Sequence, residues 1–373
     1  MRYCLRLTLS LALGIGWPTA AATEEFAPFG FSQQASYLDQ TALEGADNPP
    51  PGPAEGYPMP GDYAAWDAPG WSDREGWPGS NGPAYRPVIT VSADAVGMER
   101  VSGRSVTLIG ESGTGLPVLN ANDLNFSFAA GPQIYCTVHG NGNWDVEVGY
   151  LGIDGYDASA YRVEAGNAIQ FVAPGFATAP VAVGDALRFD YFSRLYTAEA
   201  NLKNRFGDRL TLMGGFRWAM LAERFEGSYF QPPPVNTATP FWQNRVDNQL
   251  YGFQIGGQAV VFDSGRLRIE AVAKGGLYGN VAFQETTGTP PGAPEVSAID
   301  HCAAFLGEAS FTALWQASEH VALRIGYQAL WLDGVALSPN QIHLTDVTTG
   351  EASVDAAGTV FFHGAVVGCE IAY

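Results

Sequence analysis

Lysine and arginine are scarce in this chain: 19 among 373 residues, against 38 Asp and Glu, for a formal charge of −19. Phosphate recognition needs a basic patch, and none is visible, so the balance excludes nucleic acid as a partner. Long apolar runs are also lacking. Nothing after the N-terminal leader approaches the roughly 18 consecutive apolar residues that a membrane-spanning helix requires. Cysteine is rare. Beyond Cys4 there are only Cys136, Cys302 and Cys369, at unrelated spacings. Such a set is neither a disulfide framework nor the close pairs of a zinc site, and reads as small apolar side chains. The motifs GxSxG and HExxH and a phosphate loop are absent, and GESGTG at 110–115 has its Ser one place early for a nucleophile elbow.

What the chain does contain is glycine (45), proline (24) and 12% aromatics, a composition that suits a turn-rich all-β protein. The N-terminus stands apart. Arg2 and Arg6 precede an apolar run from Leu7 to Trp17, and Ala20-Ala21-Ala22 offers small residues for cleavage. This pattern predicts a secretory signal peptide over 1–22, cleaved near Ala22. Without it, 17 basic residues face 38 acidic ones, a charge of about −21. Residues 23–87 show no period and are broken by Pro and Gly, with Trp66, Trp71 and Trp77 among them. We read them as a flexible tail.

From Val88 onward, ten alternating segments are legible: roughly 88–100, 124–138, 144–154, 187–204, 209–227, 245–261, 266–283, 301–315, 320–332 and 360–373. The links HGNGN, RFGD, FDSG and QASE are short, and those between them run from about 15 to more than 30 residues. Short and long links in strict alternation describe an up-and-down meander whose two ends differ. One face of each segment is apolar, as with Tyr251, Phe253, Ile255, Gly257, Ala259 and Val261, and the other holds small polar residues and scattered charges. A soluble sandwich alternates in the same way, with its apolar rows turned inward. Three features favour apolar rows turned outward to lipid. The segments are longer than soluble strands. Their polar faces carry few of the Lys and Glu that water-facing sheets display. Aromatics gather near strand ends: Trp144, Trp315 and Tyr373 by the short turns, Tyr251 and Trp331 by the long links.

The expectation is therefore an all-β transmembrane antiparallel up-and-down β-barrel over 88–373, of about ten strands, with eight or twelve left open. Short periplasmic turns and long extracellular loops would place it in a bacterial outer membrane. The last strand, ending on Tyr373, resembles the signal read by barrel-assembly machinery. TVSADAVGMER, FAAGPQIYCTVHGNGNWDVEVGYLG, DYFSRLYTAEANLKNRFGDRLTLMGGFRW, DNQLYGFQIGGQ, EAVAKGGLYGN and the closing strand resemble the β-barrel porin family numbered seven. That resemblance implies a barrel of porin type and brings no catalytic residues with it.

Six charged residues are assigned to the lumen: Glu199, Arg217, Glu270, Lys274, Glu308 and Arg324. Glu199, Arg217, Lys274 and Glu308 lie roughly 8–10 residues above the nearest short turn, about 20–25 Å along the axis. Ten strands enclose little space. These charges are expected to pair across the lumen and narrow it, leaving at most a path for small ions or solutes.

An enzyme on such a barrel needs a His or Ser with partners at one level. His139 and His320 fall at short turns, His301 and His343 in or beside long links, and His363 within the last strand. Asp154 and Asp157 lack the spacing of a calcium loop and read as turn residues. No catalytic activity, cofactor or metal is expected. The function read from sequence is thus a porin-like outer-membrane barrel, a narrow or partly closed pore or structural protein in contact with lipid. Two readings stand beside it: a surface- or wall-binding barrel working through its long loops or Trp-rich tail, and, as a minor one, an outer-membrane enzyme.

Overall fold

The computed structural model describes residues 87–102, 105–140, 142–166, 168–173, 181–288 and 295–373. The signal peptide and all but the last residue of the tail expected over 23–87 lie outside the described residues.

Ten strands close into one antiparallel barrel. They are β1 (Ile89–Ser102), β2 (Ala129–His139), β3 (Trp144–Val163), β4 (Ala186–Phe206) and β5 (Leu210–Gln231), followed by β6 (Thr237–Asp263), β7 (Leu267–Gly288), β8 (Val296–Gln316), β9 (Val321–Val335) and β10 (Gly358–Ala372). Each pairs with its sequence neighbour, and β10 returns to β1 with Val91 opposite Ile371 and Ser102 opposite Val360. Closure leaves no unpaired edge. The seam holds to the last residue, because Tyr373 donates its backbone N–H to Ile89 O at 2.8 Å and accepts from Ile89 N at 2.9 Å.

The pleat sets the two faces. Phe253 and Ile255 on β6 are each 76% exposed, whereas Gln254 between them is 2% exposed. Leu277, Phe311 and Ile325 continue the outward apolar rows around the barrel. Packing of these rows between two stacked sheets is thereby excluded. Away from the short turns the outer face changes character. There Arg188 pairs with Asp190 at 2.7 Å, Arg224 with Glu226 at 3.1 Å and Arg245 with Asp247 at 2.9 Å. The apolar belt beneath spans about 12 residues of strand, which at ~3.3 Å per residue and a tilt near 40° rises roughly 30 Å.

Two of the expected long links are mostly strand. β5 and β6 continue to a turn at 232–236, and β7 and β8 extend over most of the link between 283 and 301. In the first case Phe225 and Phe241 carry the buried inner face onward, both against Phe189. Pro240 enters the ladder beside a register shift between Gly227 and Ser228, an irregularity of the kind that admits proline. β3 also outruns the expected segment, reaching Val163 past an irregularity between Ile153 and Tyr156.

Two other links fold into the barrel. A bulge in β9 between Asp333 and Val335 is centred on Gly334, at φ +80°, where a Cβ would lie 2.6 Å from Ala303 O. Only glycine fits that turn of the chain. From there Val335 to Ile342 run through the interior as buried residues. They form a helical turn (Ser338–Gln341) and a 3₁₀ turn (Ile342–Leu344) before a small hairpin, Thr345–Asp346 against Glu351–Ala352. The Thr348 hydroxyl, joined by its backbone N–H, holds the Asp346 carboxyl below the usual carboxylate range and fixes this hairpin's tip. The link after β1 contributes Thr107–Glu111 and Pro117–Asn120 to a three-stranded sheet completed by Ile169–Phe171. Leu108, Ile109 and Leu119 from it are fully buried.

Candidate functional site

The lumen is layered from the short-turn end upward. First comes a vestibule of about 250 Å³, with Pro87, His139 and Arg205 at its rim and Lys274 and Glu308 at its floor. Its walls carry ion pairs within a strand, between neighbouring strands and across one strand. Arg324 reaches Asp94 at 3.1 Å and Glu370 at 2.7 Å. Arg268 meets Glu270 at 3.1 Å, and Lys203 meets Glu147. Glu270 also accepts from Gln258 Nε2 at 2.7 Å.

The floor is a ring of alternating charge. Glu199 meets Lys274 at 2.6 Å, Lys274 meets Glu308 at 3.0 Å, Glu308 meets Arg217 at 2.7 Å, and Arg217 returns to Glu199 at 3.7 Å. Arg217 is 1% exposed, and none of the other three exceeds 7%. The remaining polar positions are filled: Arg217 Nε donates to Thr197 Oγ1 at 2.7 Å, Gln254 Nε2 to Glu199 Oε2 at 2.6 Å, and Lys274 Nζ to Tyr135 Oη at 3.3 Å. Tyr135 lies flat because Gly149 faces it; a Cβ there would come within 2.3 Å of the ring. Two positive and two negative charges cancel, and so dense a pairing offsets the cost of dehydrating them.

Above the ring the lumen is apolar. Val96, Leu195, Ala219, Leu250, Leu306 and Leu330 are at most 1% exposed.

Higher still, buried polar side chains grip the infolded link at 336–357. Asn248 treats Ala336 as a strand partner, accepting its N–H at 2.7 Å and donating to its carbonyl at 2.8 Å. Asn280 Nδ2 donates to Gly334 O at 3.1 Å, and Gln284 Nε2 to Thr345 Oγ1 at 3.0 Å. Glu223 accepts from Ser338 N–H at 2.8 Å and Tyr191 Oη at 2.7 Å while pairing with the fully buried Arg100.

Of the six lumen charges singled out in the sequence, four meet in the ring. Glu270 and Arg324 sit nearer the rim, each in its own pair. The sequence reading did not single out Asp94, Glu147, Glu223 and Glu370, although their inward parity was visible. It also missed Asn248, Asn280 and Gln284, whose even spacing along β6 and β7 was the available signal. The five strand-end aromatics all face outward: Trp144 (53% exposed), Trp315 (47%) and Tyr373 (66%) in a lower tier, Tyr251 (50%) and Trp331 (51%) in an upper one. Cys136, Cys302 and Cys369 are all free thiols.

No family model matches the chain, and no curated protein matches it. Solved structures similar to it are β-barrels. The outer membrane protease OmpT from Escherichia coli aligns at 9% identity and TM-score 0.45, over 76% of this chain and 96% of that one. The translocator domain of the autotransporter NalP from Neisseria meningitidis aligns at 10% identity and TM-score 0.36, over 78% and 90%. The P. putida toluene transporter TodX aligns at 10% identity and TM-score 0.33, over 78% and 91%. At such identities and overlaps no residue role is carried over from any of them.

Proposed function

We propose that the chain is a bacterial outer-membrane β-barrel of porin-like architecture whose lumen is shut, so that it serves as a structural membrane protein and not as an open pore. The observation that carries this reading is the pairing of an apolar exterior with a sealed interior. Side chains such as Phe253 and Ile255, 76% exposed on a closed barrel, need a hydrocarbon surround. A belt of roughly 30 Å, bounded by outward aromatics and then by exposed ion pairs, suits a bilayer and its interfaces. Inside, the charge ring, the apolar layer and the infolded links block the axis one after another. The short-turn end then faces the periplasm and the long hairpins face outward, as barrels of this class are oriented. The likeness to the porin family numbered seven, and recognition of the Tyr373 strand by barrel-assembly machinery, belong to this same reading.

Planar-bilayer recordings on the purified full chain test it. The expected outcome is a membrane no leakier than the protein-free control, from protein that migrates as a compact barrel on an unheated gel and shifts on boiling. Large, steady conductance steps would overturn the sealed lumen.

A further inference from the structure

We propose that Thr90, His139 and Asp145 form an acyl-transfer site at the mouth of the vestibule, acting on small, water-soluble carboxylic esters. A barrel enzyme needs an imidazole with partners at one level, and His139 has them. Thr90 Oγ1 lies 2.8 Å from His139 Nε2, and Asp145 Oδ1 lies 3.3 Å from His139 Nδ1. Hydroxyl, imidazole and carboxylate therefore follow one another in the order of a nucleophile, its general base and the acid that orients that base. The carboxylate stands at ion-pair distance and makes no hydrogen bond to the imidazole through Oδ1, an alignment that substrate binding would have to complete.

Three adjacent strands hold these groups. His139 stands directly opposite Asp145 in the β2–β3 pairing, and its backbone N–H donates to Val88 O at 2.9 Å, beside the start of β1. Arg205 Nε stands 3.4 Å from Asp145 Oδ2, a charge contact without a hydrogen bond, and Arg205 is itself anchored on Gly142 O at 2.7 Å. Rigid strands place a site more precisely than loops do. All three side chains line the vestibule, whose volume of about 250 Å³ admits a small substrate. Its hydroxyl, amide and charged walls select polar acyl compounds over lipid chains.

The chemistry balances with water as the only co-reactant. His139 Nε2 takes the Thr90 proton as Oγ1 bonds to the ester carbonyl carbon. The resulting oxyanion faces a wall that carries the cations Lys203 and Arg205. Its collapse breaks the bond to the alkoxide, which leaves with the proton from His139. Water then attacks the acyl-threonine, giving a proton to His139; collapse of that intermediate breaks the bond from the carbonyl carbon to Oγ1, the carboxylic acid leaves, and His139 returns the proton to Thr90.

The test uses the full chain in detergent micelles, with folding verified by the heat-dependent gel shift and p-nitrophenyl acetate as the probe. Wild type should release nitrophenol faster than the micelle blank. Thr90→Val, which keeps the shape and removes the hydroxyl, and His139→Gln should each lower that excess by about 100-fold or more. Thr90→Ser should retain it. A quenched mass spectrum should find one acetyl group on the peptide carrying Thr90. Folded wild type no faster than the blank, or folded Thr90→Val as fast as wild type, would overturn the proposal. If Thr90→Val does not fold, His139→Gln decides in its place: an unchanged rate in that folded variant overturns the site. A conducting barrel that still turns over ester would sink only the sealed lumen.

Discussion

Arg217 is the residue on which the charge ring depends, since it alone contacts both Glu308, at 2.7 Å, and Thr197, at 2.7 Å, while facing Glu199. Replacing it with Met leaves two buried carboxylates sharing Lys274. The expected loss is about 3–5 kcal/mol, the usual effect of removing one partner from a buried pair, read as an earlier midpoint in guanidinium unfolding. Replacing all four ring residues with apolar ones of similar volume should cost far less, because no uncompensated charge then remains. On the outer face the sign of the argument reverses. Ile255→Arg, at a position 76% exposed, should destabilise the membrane-inserted barrel by about 2–4 kcal/mol, measured by reversible unfolding from vesicles. A neutral effect there would mean that water, not lipid, covers the belt. Which side chains face inward was legible at this scale, because parity along a strand is a property of sequence. Which of them touch was not. Glu308 stands opposite Lys274 in the β7–β8 pairing, whereas Glu199 comes from β4, and only the closure of the sheet brings it to the same Lys274.

The infolded link at 336–357 is held by side chains of β5, β6 and β7 more than by the strands it connects. Asn248 makes two hydrogen bonds to Ala336 alone, each worth about 0.5–1.5 kcal/mol. Asn248→Leu should therefore loosen the segment without opening the sheet. A glutamyl endopeptidase should then cut after the exposed Glu351 faster than in wild type, while the gel shift is unchanged. This element was the least legible in the sequence. A run such as GVALSPNQIHLTDVTTG reads as an ordinary surface link, and its inward course follows from the bulge at Gly334 and from Asn and Gln on distant strands. The far hairpin of β5 and β6 is hidden for a different reason: proline ordinarily breaks a ladder, yet here the register shift accommodates Pro240 and the turn at 232–236 takes the prolines at 232–234.

At the scale of the molecule, all ten strands and their up-and-down order could be read from period and link length, since every barrel pairing is between sequence neighbours apart from the closing one. Two ties cross the barrel at different heights. The charge ring links β4 and β5 to β7 and β8, and Arg100 on β1 meets Glu223 on β5. A hollow hoop of strands flattens into an ellipse when squeezed from the side, because its hydrogen bonds hinge at little cost. Tied across at two levels, this one should resist such flattening, and in the lipid surround proposed above a change in lateral pressure would reach the far wall as load instead of being absorbed as a change of shape.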